Sequence, residues 1–312
     1  MKLPILLLAC VLSMGAAIAS EDAPKRIAFT FDDAPRGDGA FFTGAERAVA
    51  LIAALEAAEV KGAMMFVTTR GIVDRAPEGA ARIRRYAEAG LVLGNHSHTH
   101  QWLRRTEAAD YLADLVAAAD ILDRFEGVAP FYRFPYLDEG RPEEQRDAVR
   151  AGLTARGLKN GYVTIDTYDW HMAALANRAK RAGWPLDMDA LRDAYVEILM
   201  AAITFYDEVA LDYLGRSPAH VLLLHENDLA ALFVDDLAAA LRADGWEIIP
   251  ALEAYDDPIA AREPETLFLG QGRVAALAHE MGATGPRLVS PTEDEAYLEA
   301  EFVRRGLYPP SS

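Results

Sequence analysis

The sequence predicts an α/β chain whose parallel strands curl into a distorted (β/α) barrel, with a helical insert and a C-terminal helical extension. Two observations lead there. Short apolar runs alternate with alanine-rich amphipathic segments, the pattern of a parallel sheet joined by helical crossovers. The polar residues fit for chemistry fall just after the apolar runs: Asp32 and Asp33 after the first, His96 after the third, Arg133 at the end of the fourth, Asp166 after the fifth and His225 after the sixth. The carboxyl ends of barrel strands converge on one mouth, so this spacing gathers distant residues into one place.

The elements follow in order. Lys2 precedes a mainly apolar stretch to Ala19, and Ala17-Ile18-Ala19 is followed by the polar Ser20-Glu21-Asp22. This reads as a secretory signal peptide over residues 1–19. A membrane anchor is the competing reading, but the apolar core is shorter than the roughly 20 residues a span needs. A lipoprotein signal ending at Cys10 would leave a still shorter apolar stretch. The expected location is therefore secreted or periplasmic, in a bacterium. Strands are expected at 26–31, 62–67, 91–94, 131–134, 162–165, 221–224 and 246–249. Helices are expected at 46–58, 78–89, 108–125, 143–155, 188–213, 229–243, 273–281 and 293–305. One domain would run over 25–254, with a helical insert at 171–219 beside the mouth, and 255–312 would form the helical extension.

Composition narrows the function. The formal charge is −17 and no basic cluster stands out, so nucleic acid is disfavoured as a partner. The one cysteine, Cys10, lies in the expected signal, so the mature chain would have neither a disulfide nor thiolate chemistry.

The chemistry concentrates in a few blocks. Asp32-Asp33 sits at a strand-to-loop junction, where neighbouring side chains point in different directions. One carboxylate can bind a metal while the other faces substrate. His96 and His100 are four apart in a chain with seven histidines, and a turn or helical geometry puts both on one face. Two imidazoles and one carboxylate leave open positions on Zn²⁺ or another first-row metal. His98 points elsewhere in that geometry, while Ser97 and Thr99 can hold the turn. Arg133, at a barrel mouth, needs a carboxylate partner, and Asp32 is the natural one. Pro135 shapes the turn so that the Tyr136 amide can face an oxyanion. His225 ends an apolar strand and can act as a general acid, its proton held by a carboxylate such as Asp169. Trp170 can wall the pocket and offer a sugar ring a flat apolar face, and His171 reads as a loop histidine. Together these residues point to metal-assisted hydrolysis.

In this order the blocks Thr30–Asp33, His96–His100, Arg133–Tyr136, Asp169-Trp170 and the leucine-rich run ending at His225 resemble the polysaccharide deacetylase family (the NodB-homology domain, carbohydrate esterase family 4). The resemblance spans residues 27–249. It implies a NodB-type distorted barrel, a divalent metal, usually zinc, and removal of N-acetyl groups from a carbohydrate such as peptidoglycan, chitooligosaccharide or exopolysaccharide. It also implies roles. Asp33, His96 and His100 would bind the metal, and Asp32 would be the base toward the attacking water. Arg133 would orient Asp32. The Tyr136 amide, with the metal, would stabilise the oxyanion, and His225, tuned by Asp169, would protonate the leaving amine. Two positions depart from the family pattern: Ala34 stands where glycine usually follows the aspartates, and Leu137 where glycine often follows the tyrosine. An O-acetyl esterase or small-amide hydrolase on the same fold is the second reading, and a glycan-binding module without catalysis the third. No stable membrane insertion is expected after signal cleavage.

Overall fold

The computed structural model describes residues 24–308, and the signal-peptide expectation and Cys10 lie outside the described residues. Among these residues seven strands, all parallel, form one sheet: β1 (Lys25–Ala34), β2 (Met64–Val67), β3 (Val92–Asn95), β4 (Val128–Tyr132), β5 (Lys159–Asn160), β6 (Ala219–His225) and β7 (Trp246–Ile248). The order is β5-β4-β3-β2-β1-β6, with β7 pairing the first residues of β1. β1 explains its own central place. Ile27, Ala28, Phe29 and Phe31 are fully buried, a near-continuous apolar run suited to a parallel strand covered on both faces.

The helices are α1 (Gly44–Ala57), α2 (Arg70–Asp74), α3 (Glu78–Glu88), α4 (Ala108–Leu122), α5 (Glu143–Thr154), α6 (Asp169–Arg181), α7 (Met188–Leu214), α8 (Asp228–Ala243), α9 (Ala251–Ala254), α10 (Gly272–Glu280) and α11 (Glu295–Arg304). α1 starts at a capping box in which Thr43 and Glu46 satisfy each other's backbone N–H. α7 stops at Gly215, whose φ of 74° is the left-handed turn that ends a helix.

The segment 159–165 closes the sheet. β5 pairs β4 at its start, and Ile165 bridges Leu222 of β6 at its end. The Thr164 N–H donates to the Val221 carbonyl at 3.0 Å, and the Leu223 N–H donates to the Ile165 carbonyl at 3.0 Å. The result is the expected distorted barrel. The strand expected at 162–165 is replaced by this crossing. A segment that must leave one neighbour and reach another six residues later cannot keep a ladder with either. The strand expected at 131–134 is shifted back to Val128–Tyr132 for a related reason. The Arg133 N–H still reaches the Asn95 carbonyl at 2.9 Å, but Pro135 has no N–H with which to continue.

The residues after Ala254 share the core of the sheet. Tyr255, Leu277, Leu298 and Phe302 are buried in the same apolar cluster as Phe29 and Leu222. α10 packs on α7 and α11 on α6, while α6 and α7 both rest on α8.

Behind the mouth lies a buried charge network. Glu226 has no exposure and accepts from Arg82 Nη2 at 2.6 Å, the Tyr86 hydroxyl at 2.8 Å and the Arg36 N–H at 2.6 Å. Asp228 accepts from Arg47 Nη1 at 3.0 Å and from two loop N–H groups, those of Ala40 and Phe41. Removing one member of such a network strands a charge. Glu226→Ala should therefore lower the unfolding free energy by about 3–5 kcal/mol, read from guanidinium unfolding midpoints.

Candidate active site

Strand ends place the functional groups. Asp32 and Asp33 lie at the carboxyl end of β1, His96 directly follows β3, Arg133 directly follows β4 and His225 ends β6. All but Arg133 line one cavity of about 460 Å³, together with His100, Tyr136, Asp166 and Trp170. Arg133 lies just beneath, reaching the cavity through Asp32.

Asp33, His96 and His100 form a three-ligand cluster whose donor atoms all lie within 4.8 Å of one another. His100 Nε2 is 3.3 Å and His96 Nε2 3.7 Å from Asp33 Oδ1. The His96 Nδ1–H donates to the Arg133 carbonyl at 2.9 Å, which turns the Nε2 lone pair toward the cluster. Burial and the neighbouring His96 pull the His100 pKa down to about 4, so its ring is neutral near pH 7. Burial works against charge on Asp33, but His100, then His225, Arg36 and His96, outweigh it and hold the carboxyl well below its usual range. The neutral His100 ring and the His96 Nε2 beside an ionised carboxylate fit a divalent first-row cation.

The loop carrying the histidines is held from α4. Asp114 accepts from the His98 N–H at 2.8 Å, the Thr99 N–H at 3.1 Å and the Thr99 hydroxyl at 2.5 Å. The His100 N–H donates to Ser97 Oγ at 2.7 Å, and the Ser97 N–H to Asn95 Oδ1 at 2.8 Å. So Ser97 and Thr99 do hold the turn. His98 faces away and is hydrogen-bonded to Thr69 through Nδ1 at 2.9 Å.

Asp32 and His225 are each held by a buried partner. Asp32 Oδ1 accepts from Arg133 Nη1 at 2.6 Å, while its Oδ2 is 3.5 Å from His96 Nε2. Asp169, fully buried in the first turn of α6, accepts from His225 Nδ1 at 2.6 Å, from the His225 N–H at 2.9 Å and from Asn227 Nδ2 at 2.7 Å. Burial alone would lower the His225 pKa, but the Asp169 carboxylate overrides it and raises the value above that of free histidine.

Backbone strain gathers at this mouth. Among the described residues six non-glycine residues have positive φ, and five of them are Asp33, Ser97, His100, Tyr136 and Leu137. The strain is of order 1–3 kcal/mol each and concentrates where side chains must be aimed. Ala34 is not one of them, so alanine there carries no such cost; Asp33 takes the left-handed conformation instead, at φ 70°. Leu137 does carry the cost, at φ 51°, next to Tyr136 at φ 60°.

Tyr136 is 53% exposed at the rim, its ring edge-on to His100 at 4.7 Å and beside Trp102 at 5.1 Å. Trp170 also lines the cavity, its ring beside that of Tyr168. His171 lies outside the mouth, 3.7 Å from Glu295.

Sequence reasoning missed several supports. Asn227 and Tyr255 gave no local signal. Asp114 did: it occupies a core-facing position of α4 between Tyr111 and Leu115 and Ala118, where a carboxylate must find buried donors. Glu293, from the extension, accepts from the Tyr206 hydroxyl at 2.5 Å and lies against Asp166 at the cavity floor. Burial raises both carboxyls, and the neighbouring Glu293 raises that of Asp166 further. Asp114→Ala should weaken metal binding about 10–100-fold with the ligands untouched, measured by competition with a chromophoric chelator.

Residues 19–156 match the family model described as polysaccharide deacetylase. No curated protein matches the chain by sequence. Among solved structures, the polysaccharide deacetylase Bc1974 from Bacillus cereus is 20% identical with a TM-score of 0.50, over 72% of this chain and 90% of that one. A family 4 acetyl xylan esterase from Clostridium thermocellum, in complex with a cobalt ion, is 18% identical with a TM-score of 0.49, over 74% and 90%. A family 4 carbohydrate esterase from Streptomyces lividans, in complex with acetate, is 20% identical with a TM-score of 0.47, over 72% and 92%. The matched residues carry the paired aspartates, both cluster histidines, Arg133 and Tyr136, so over residues 19–156 this chain is similar to the polysaccharide deacetylase family.

Proposed function

We propose that this protein is an exported, metal-dependent hydrolase that removes N-acetyl groups from a carbohydrate. One observation carries the reading. A three-ligand cluster, a carboxylate tethered to a buried arginine and a histidine tethered to a buried aspartate all face one cavity. Cleaving an amide needs the attacking water deprotonated, the oxyanion stabilised and the leaving nitrogen protonated.

Asp33, His96 and His100 would hold a divalent cation, zinc being the first candidate, and when bound it supplies Lewis-acid polarisation of the acetyl carbonyl and of water. Asp32 is the base. Its Oδ1 is occupied by Arg133, so Oδ2, on the His96 side, is left to take a proton from the attacking water. Arg133 holds the carboxylate in one orientation. The Tyr136 amide, turned by the left-handed backbone, is the donor offered to the oxyanion. The protonated His225 gives its proton to the departing amine, and Asp169 keeps Nδ1–H in place so that Nε2 delivers it. Trp170 and Tyr136 are aromatic walls on which a sugar ring can rest.

A cavity lined by both charged and aromatic residues suits a saccharide, and the signal-like N-terminus supports export. The His225–Asp169 pair favours amides over esters, because an amine needs protonation to leave and an alkoxide depends on it less.

Two measurements test the mechanism, each on acetate release from chitooligosaccharides, peptidoglycan fragments and acetylated xylan by zinc-loaded protein. Asp32→Asn should lower kcat by about 10²–10⁴ with metal content unchanged; full activity in this variant would refute the assignment of the base. The His225 acid is active below its raised pKa, so kcat should fall as pH rises through that value. Asp169→Asn removes the group that raises it and should move this alkaline limb to lower pH. A limb that stays in place would mean that another group supplies the proton. Acetate released only from the xylan ester would turn the reading to an esterase.

A further inference from the structure

A second cavity, of about 290 Å³, lies on the flank of the barrel between β4, α5 and the C-terminal extension. Arg273, in the first turn of α10, lines it while only 3% exposed. Its guanidinium lies 3.9 Å over the Tyr162 ring, and Nη1 donates to the carbonyls of Ala260 and Ile259 at 2.9 and 3.3 Å. Nε is buried without a partner. Among the described residues Arg273 makes no ion pair, unlike the buried Arg47, Arg82 and Arg133, each of which meets a carboxylate. Burial pulls its pKa below the usual arginine range, and the more distant Glu139 and Glu263 offset this only in part. Such a charge is costly to bury unless an anion meets it.

The other charges do not fill the gap. Arg150 is already paired with Glu139 at 2.6 Å. Lys159 adds a second unmatched cation to the lining, and Glu263 lies exposed at the rim, unpaired with Arg273. The remaining wall mixes the polar Thr154 and Asn160 with an apolar and aromatic side from Phe131, Leu153 and Tyr255. A cationic end beside that aromatic side suits an anion that has a planar two-oxygen head and a short hydrocarbon tail. We infer that this cavity is a binding site for a short-chain monocarboxylate, its head on the Arg273 guanidinium. Acetate is the smallest member of the class. A narrow cleft lined by Arg133, Leu137 and Arg273 lies between this cavity and the active-site cavity, so the deacetylase reading would supply acetate nearby. The site itself does not rest on that reading.

The test uses the full mature chain, stripped of metal and dialysed so that carboxylates cannot report through the metal cluster. Thermal unfolding is followed with acetate, butyrate or inorganic phosphate at constant ionic strength, with chloride as the reference. Acetate and butyrate should raise the midpoint saturably in the wild type. Arg273→Met, which keeps the volume and removes the charge, should bind at least about tenfold more weakly and be no less stable in chloride. Should Arg273→Met fail to fold by circular dichroism, Arg273→Lys, which keeps the charge but loses the fork, should show weakened binding of about the same size. No shift with any anion, equal shifts in the variants, or a response to phosphate alone would overturn the proposal. Because no turnover is measured, a failure to deacetylate any glycan would leave this result unaffected.

Discussion

Arg133 sits without exposure at the carboxyl end of β4 and makes four hydrogen bonds to three other parts of the molecule. Nη1 reaches Asp32 and Thr30 of β1, Nε reaches the Gly161 carbonyl in the segment that closes the barrel, and Nη2 reaches the Tyr255 hydroxyl in the extension. Its face lies 3.9 Å over Phe66 of β2, and its own carbonyl accepts from His96. A buried guanidinium is tolerated only when its donors are met and its charge is matched. Satisfying this one therefore holds four segments in register and, in the same act, orients both the proposed base and one metal-site histidine.

A second constraint acts from the other side. The mouth is built from loops in unfavourable backbone conformations, and only outside anchors can keep them so. Asp114 holds the histidine loop from α4, Asp169 holds the end of β6 from α6, and Asn227 both ties Asp169 and caps α8. The helices thus do more than cover the sheet. Each sends one short polar side chain into the strand ends, where rigid support of a few tenths of an ångström matters to the chemistry.

Much of the site was legible because it is written in short contiguous blocks. Asp32-Asp33 and His96–His100 announce themselves by spacing, and the alternation of apolar runs with amphipathic ones places them at one rim. The supports were harder to read. Tyr255 is one of many aromatic residues in the chain, and nothing near it in sequence says that its hydroxyl meets Arg133 more than a hundred residues away. Residues 162–165 of the closing segment read as an ordinary strand because they have strand propensity. The segment's real conformation is set by the two neighbours between which it must cross. The effect of Ala34 and Leu137 was likewise open until the backbone showed which of the two is left-handed.

The sequence by itself determined the class of fold, the rim on which the polar residues gather and the identity of the groups able to bind a cation or carry a proton. These follow from local periodicity and residue chemistry, which act over a few positions. The tertiary structure alone decided which carboxylate Arg133 takes, which atom of His96 is left toward the cluster, how the extension completes the core, and that Arg273 is buried without an anion. Those outcomes depend on distances between residues far apart in the chain, and only the packing of the whole barrel sets them.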